Sequence, residues 1–350
     1  NLDEQCPTID SYYGLRRRIC KHEEETGENL FDKCFKQITK SQAKEYRISG
    51  KAIRMDSKLI SSNIAWYSRY EIIHETFVKS VTKEELEHIA DQLVRQQAFE
   101  FFAEDAKKTV YRTDSETMGK RLLDLGIVID YMLTNSVVKD KSLLERVFSE
   151  QYEKSDDGVV SVRDKRKISA KSVQNPNDPD AEYRGKHKQK VKGFSANITE
   201  TLPEKDKPSL ITDVKVKGAT AADNDFFEDA VKATEEVTGD DVETAYVDGA
   251  YQSQSNRDFA KDEKINIVAG GLQGKPSRFD LNKTGPQTLE VTDKTTGEVK
   301  TAVSVKPDKW KIDLVDANGK KTYRYFSKEQ VDRAEVRRKV DAIPFDERKK

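Results

Sequence analysis

Lys51-Ala52-Ile53-Arg54-Met55-Asp56-Ser57-Lys58-Leu59-Ile60 decides how the rest of this chain is read. Gly50 precedes the run and apolar residues alternate through it, which predicts a β-strand. Asp56 stands inside that strand. A carboxylate in the middle of a sheet is costly unless it is paired or binds a cation. A salt bridge to Arg54 or a neighbouring lysine would satisfy it with no function at all.

Upstream, residues 7 to 50 read as helices with short breaks. Downstream, from Trp66 to about Tyr152, the hydrophobic period becomes helical. Ile72, Ile73, Phe77 and Val81 recur at that spacing, as do Leu86, Ile89 and Leu93, and later Leu122, Leu125, Ile129 and Leu133. No proline interrupts the chain between Pro7 and Pro176, which suits a helical block. Residues 154 to 185 read as a polar linker. Strands are then expected over 190–202 and 210–217, joined by the proline-bounded turn 203–208. A helix should follow to about Val237, ending near Gly239. Next come a short strand, Thr244 to Val247, stopped by Asp248-Gly249, a helix over 255–264, and an apolar strand over 265–269. A strand meander is expected over 286–326, with a hairpin turn at Asp316-Ala317-Asn318-Gly319. Ser327 and Gln330 have the spacing of a capping box that opens a last helix.

With the helical block and the meander set aside, the order is β-β-β-α-β-α-β-α. That is the order of an RNase H-like fold: a mixed five-stranded sheet of the α/β (α+β) class, with a helical insertion after the first strand and a β-rich insertion after the last. Several α/β folds share pieces of this order.

Bulk composition narrows the class. Charged residues make up 36% of the 350 and the hydrophobic class 35%, a polar but foldable balance. No run approaches the roughly 18 apolar residues of a membrane span, and no membrane partner is expected. The acidic start Asn1-Leu2-Asp3-Glu4 is not a signal peptide, and without a Met it reads as an internal start of a larger reading frame. Three cysteines, Cys6, Cys20 and Cys34, match neither a disulfide framework nor a zinc pattern, so half-buried thiols in a reducing, cytoplasmic compartment are expected. The net charge of −1 gives no global attraction to nucleic acid. Local cationic clusters exist nonetheless. In one, Arg184, Lys186, Lys188, Lys190 and Lys192 alternate with other residues, and on one strand that spacing would set all five on one face. Contact with a DNA backbone and a lysine-protected sheet edge are both open readings.

A second aspartate strengthens the first. Asp248 ends the strand Thr244–Val247, and strand carboxyl ends are where α/β folds build sites. A plain Asp-Gly turn is the bland alternative. Asp56 and Asp248 fall on strands expected to be adjacent. Two close carboxylates repel, and a divalent cation relieves the repulsion. Mg2+ is a hard ion that takes one or two carboxylates together with substrate phosphates, and Mn2+ would serve as well. Two such ions can activate an attacking oxygen and stabilise a leaving one at a phosphodiester. Gly-x-Ser-x-Gly, Walker and His-Glu-x-x-His motifs are absent from the sequence.

The stretch from Arg54 through Asp56-Ser57 to Trp66-Tyr67 resembles the first catalytic block of DDE-type transposases of bacterial insertion sequences. Val247-Asp248-Gly249-Ala250-Tyr251 resembles their second. Asn177-Asp178-Pro179-Asp180-Ala181-Glu182-Tyr183 and Lys192 to Thr201 resemble the motifs that link the two. The resemblance implies DNA cleavage and strand transfer at element ends, two Mg2+ ions, and double-stranded DNA as partner, both element ends and target. It also implies a homodimer when active and a place at the bacterial nucleoid. The division that follows is an N-terminal helical region over 1–50, a remnant of a DNA-binding domain, then the first core strand over 51–65 and the helical insertion over 66–153. The catalytic core continues over 154–285, followed by the β-rich insertion over 286–326 and the start of a C-terminal helical part over 327–350. The chain departs from the family at its end, where Ala342 to Lys350 resembles the lead-in to the block of the third carboxylate. That acid is expected beyond Lys350, with Glu335 and Glu347 as alternatives inside the chain. An RNase H-like nuclease without strand transfer, and a catalytically dead DNA-binding fragment, are the competing readings.

Overall fold

The computed structural model describes residues 7–186, 189–272, 276–315, 319 and 321–348. In chain order the elements begin with α1 (Ile9–Thr26), α2 (Leu30–Tyr46) and β1 (Ala52–Ser61). Helices α3 (Arg69–Ser80), α4 (Lys83–Glu87), α5 (Gln92–Phe102), α6 (Ala106–Arg112), α7 (Ser115–Thr134) and α8 (Ser142–Gln151) follow. Then come β2 (Tyr152–Lys154), β3 (Val160–Val162), β4 (Glu182–Lys186), β5 (Gln189–Thr201) and β6 (Ile211–Gly218). Next are α9 (Phe227–Thr238), β7 (Thr244–Val247), α10 (Gln254–Asp262) and β8 (Asn266–Ala269). The remainder is β9 (Phe279–Lys283), β10 (Leu289–Asp293), β11 (Val299–Lys306), β12 (Lys309–Val315), β13 (Lys321–Ser327), α11 (Lys328–Ala342) and α12 (Phe345–Arg348). Among the described residues, no helix is long and apolar enough to cross a membrane.

The protein is a mixed α/β chain, and its main sheet combines parallel and antiparallel strands. Its order is β4-β5-β1-β7-β8, with β6 also paired to β5. β1 and β7 run parallel, as do β7 and β8. Leu202 N donates to Ala52 O (2.9 Å) at one end of β5 and Ser62 N to Lys192 O (2.9 Å) at the other, so β5 runs antiparallel to β1. The sheet has six strands where five are expected. Its extra member, β4, is a hairpin arm on the long strand β5 and lies in the stretch read as polar linker. The start of that stretch carries β3, which pairs antiparallel with β2 just before it.

Two compact units divide the chain, with boundaries inside β1, β5 and β6. One comprises 57–196 and 215–221, the other 1–56, 197–214 and 222–350. The first unit is built around the helical block. Ser68 and Glu71 form a capping box that starts α3 just beyond Trp66. Ile73, Phe77, Leu86, Ile89, Leu125 and Ile129 are fully buried and form its core with Tyr152 and Val173. Leu93 departs from the expected stripe and is 74% exposed. Asp91 restarts the helix there by accepting from Leu93 N and Val94 N, so the period of the preceding turns is not carried through.

In the second unit, Ile53 and Met55 of β1 join Ala245, Val247 and Ala269 against Phe227, Val231 and Ala260. Cys20 and Cys34 are exposed on their helices, not half-buried, and Cys6 lies outside the described residues. The β-rich part of this unit is a five-stranded antiparallel meander ordered β13-β12-β11-β10-β9. It begins at Phe279 rather than near 286, because the three-residue alternation Phe279-Asp280-Leu281 is too short to stand out in the sequence. Residues 316–318 of the expected hairpin turn lie outside the described residues. Phe279, Leu289, Trp310 and Phe326 form the core of the meander with Val331 of α11.

Arg278 forks onto Asp293 in this meander, with Nε 3.1 Å from Oδ1 and Nη2 2.6 Å from Oδ2. The hydrogen bond from Arg278 leads the causes that hold the Asp293 carboxyl down to about 2. A folded value below the unfolded one gives stability that is fully present above about pH 4 and is lost as pH falls through about 2. Acid unfolding followed by Trp310 fluorescence, in a Trp66→Phe background, should therefore flatten below pH 4 in Asp293→Asn. An acid limb unchanged by the substitution would remove this pair from the account of the sheet's stability.

Candidate metal centre

Parallel register sets the geometry. Ala52 pairs with Thr244, Ile53 with Ala245 and Arg54 with Tyr246. Extended two residues past the last pair, the same register would set Met55 opposite Val247 and Asp56 opposite Asp248. Opposed residues of parallel strands share a face and lie about 5 Å apart at the backbone. Ile53, Met55, Ala245 and Val247 are buried, while Asp56 and Asp248, the next residues along each strand, are exposed, so alternation would put the two on the opposite face. Arg54 Nε donates to Glu200 Oε1 at 2.7 Å.

Asp248 does make a turn, as the bland reading expects. Its Oδ1 accepts from Ala250 N at 2.6 Å and caps a 3-10 turn over Gly249–Tyr251. Among the described residues no hydrogen bond reaches Oδ2, so capping and metal binding are compatible at this side chain. The residues after Asp248 hold it in position. A Cβ on Gly249 would lie 2.0 Å from the Gly271 carbonyl oxygen, so only glycine lets the Asp248 turn pack on the loop leaving β8. Tyr251 is fully buried, and its hydroxyl donates to Asn197 Oδ1 at 2.6 Å. Asn256 Nδ2 donates to Tyr251 O at 3.0 Å. A cleft of about 680 Å3 opens beside this turn, lined by Gly249, Gln252, Arg257, Leu272, Lys328 and Arg333.

Blocks that are separate in the sequence meet here. Asn197 and Tyr251 belong to two of them. In the helical unit, Ser62 Oγ donates to Asp178, and Asn175 Nδ2 donates to Ala65 O at 3.1 Å. Lys192 Nζ lies 4.9 Å from the centre of the Trp66 ring. A Cβ on Gly193 would lie 2.2 Å from Ile60 O, so glycine is needed where β5 passes β1. Sequence reasoning assigned no site role to Asn197 or Ser62. Their signal lay in the quoted blocks, but a polar residue in a strand does not reveal its partner.

The cationic cluster is not one strand face. It folds as the β4–β5 hairpin, in which Arg184 pairs with Val191 and Tyr183 with Lys192. Arg184 therefore shares one face with Val191 while Lys190 and Lys192 share the other. The expectation of a five-cation face fails because the run is divided between two antiparallel strands, and Lys188 lies outside the described residues. Arg184 is used structurally, donating to Ala219 O (3.1 Å) and Ala221 O (2.7 Å). Lys192 is buried, and burial holds its ammonium below the ordinary lysine value, partly offset by Glu71. Lys190 is exposed.

Of the two in-chain alternatives for a third acid, Glu335 is engaged by Lys339 (2.8 Å), whose hydrogen bond lowers the carboxyl pKa. Glu347 is exposed on α12. Among the described residues, no group of three histidine, cysteine or carboxylate side chains forms a metal site.

Comparison with known proteins returned no matching family model, no matching curated protein and no matching solved structure.

Proposed function

We propose that this chain is a DDE-type DNA transposase whose Asp56 and Asp248 hold Mg2+ for phosphodiester cleavage and strand transfer at insertion-sequence ends. The observation that supports this reading most is the parallel β1–β7 register, which pairs Arg54 with Tyr246 two residues before Asp56 and Asp248. The sheet supports an RNase H-like core. With β4 set aside, the third, second, first, fourth and fifth strands lie in that order, and the first, fourth and fifth are parallel. When bound, Mg2+ would polarise the scissile phosphate and lower the pKa of an attacking hydroxyl. Asp56 and Asp248 would each lend it an oxygen, and the Ala250 N–H would keep the Asp248 carboxylate aimed. Mn2+ would replace Mg2+, and a second ion needs a further ligand. We assign that ligand to an acid beyond Lys350, as the resemblance implies. In support, the Arg348 carbonyl oxygen comes within 3.6 Å of a Cβ built on Gly270, whose N–H bonds Val247 O. The path of α12 thus runs to the strand end that carries Asp248. The bacterial nucleoid and a homodimeric active form belong to the same proposal.

The test is a gel assay of strand cleavage and joining on duplex DNA carrying inverted repeat ends, with Mg2+ and with EDTA. Metal-independent products, or none from a chain continued past Lys350, would sink the reading. DNA contact by the β4–β5 hairpin is assigned to Lys186, Lys188 and Lys190. Lys190→Ala is expected to reduce the slope of log affinity against log salt by roughly one. Lys192→Ala should instead lower stability, since it removes a buried cation from the Trp66 face. A Lys190→Ala slope equal to that of the parent protein would take the hairpin off the DNA surface.

A further inference from the structure

We infer that the β-rich meander and α11 together form a second binding site, a pocket for the phosphate of a nucleotide. This pocket lies between β9, β13 and α11 and has a volume of about 340 Å3. Five cations line it, Lys294, Arg324, Arg333, Arg337 and Arg338, against two carboxylates, Asp280 and Asp341. Both carboxylates are engaged, Asp280 with Arg338 at 3.0 Å and Asp341 with Arg348 at 3.7 Å. Among the described residues, Lys294, Arg324 and Arg337 have no carboxylate at ion-pair distance. An excess of cations converging on one cavity repels itself, and a bound anion removes that cost.

The donors are held in place rather than scattered. Arg324 lies over the ring of Phe279, 5.2 Å from its centre, and Phe279 packs edge-on against Phe326. Arg338 is anchored by Asp280 and by the Leu281 carbonyl oxygen at 2.8 Å. Arg333 and Arg337 are one helical turn apart on α11, so they share its face toward the pocket. Planar guanidinium groups held this way match phosphate oxygens with paired N–H donors, which a lone lysine cannot do. The cavity is larger than a bare oxyanion needs, and Ser277 and Gln330 add neutral polar groups to its wall. A phosphate carrying its sugar and base fits this chemistry. The nucleotide is either free or part of a DNA strand, and the site stands whether or not Asp56 and Asp248 bind metal.

Two measurements on the full chain test it. In the first, hydrogen exchange is followed with saturating thymidine 5′-monophosphate, then inorganic phosphate, then a short oligothymidylate. Protection over residues 277–281 and 324–338 is expected with the oligothymidylate. The same protection with the monophosphate identifies a free nucleotide as sufficient, and its absence there assigns the site to a DNA strand. No protection of these segments by any of the three overturns the proposal. In the second, fluorescence anisotropy of labelled oligothymidylate compares Lys294→Gln/Arg324→Gln/Arg337→Gln with a control of equal charge change, Lys83→Gln/Lys107→Gln/Lys120→Gln. The pocket variant is expected to bind at least about tenfold more weakly than the control. Equal binding by the two variants, or displacement of the probe by oligoglutamate as readily as by unlabelled oligothymidylate, overturns it.

Discussion

Replacing Asp56 or Asp248 with asparagine is expected to weaken Mn2+ binding by at least about tenfold and to cut metal-dependent DNA cleavage by roughly a thousandfold or more. The amide keeps the size and shape of the carboxylate and removes its charge. A hard divalent ion loses both an anionic ligand and the repulsion between carboxylates that its binding relieves. The effect should be of similar size at either position, because in the proposed centre each aspartate lends the ion one oxygen. Glu243→Gln is the control. Glu243 precedes β7 at the opposite end from Asp248, and its carboxylate pairs with Lys51 at 2.7 Å. Free Mn2+ can be followed by electron paramagnetic resonance during titration. An equal loss in Glu243→Gln would reduce the effect to net charge, and unchanged affinity in both aspartate variants would remove the metal centre. Cleavage is best compared between the 350-residue chain and a version continued past Lys350, with the larger rate expected in the latter. Robust cleavage by the 350-residue chain, lost in Glu335→Gln or Glu347→Gln, would bring the third acid inside it.

Tyr251→Ala is expected to destabilise the unit that carries the aspartates by about 3–5 kcal/mol, the usual range for deleting a buried aromatic ring. Tyr251 is fully buried beside Val247, Ala260 and Phe227 in one core. Its loss leaves a cavity directly beneath the turn that Asp248 caps, and it strands the buried Asn197 oxygen that accepts from the tyrosine hydroxyl. Tyr251→Phe separates the two effects. The ring stays, and the missing hydroxyl alone should cost about 1–3 kcal/mol. Urea unfolding of the three proteins gives the stability order, and Mn2+ titration of the phenylalanine variant tells whether the hydroxyl also positions Asp248. A phenylalanine variant as stable as the parent would mean that the Tyr251–Asn197 bond contributes nothing net.

Much of the architecture was legible because it is written in local periodicity. The helical stripe from Ile72 to Ile129 and the capping box at Ser327 depend on residues within a few positions of each other. Strand β1 was legible for the same reason, within one residue of its observed bounds. The strands β4 and β9 were not. Each carries at most two apolar residues among charged and polar ones, whereas β7 and β8, although shorter, are mostly apolar runs. Leu93 shows the opposite failure: a periodic apolar residue that the Asp91 cap turns outward.

The candidate site divides along the same line. Sequence alone determined that Asp56 sits inside a strand and that Asp248 closes another, because each fact follows from its immediate neighbours. Sequence also determined that glycine follows Asp248, but not that the Gly271 carbonyl requires it. Tertiary structure decided the rest. It set the parallel β1–β7 register, and it joined Tyr251 to Asn197 across 54 residues of chain. It also split the cationic run over two faces of a hairpin and gathered Arg324 and Arg337 around one pocket. Alternation along a single strand says which side a residue takes, whereas the identity of its neighbour on the next strand depends on register. Register is set by the packing of whole faces and has no local code.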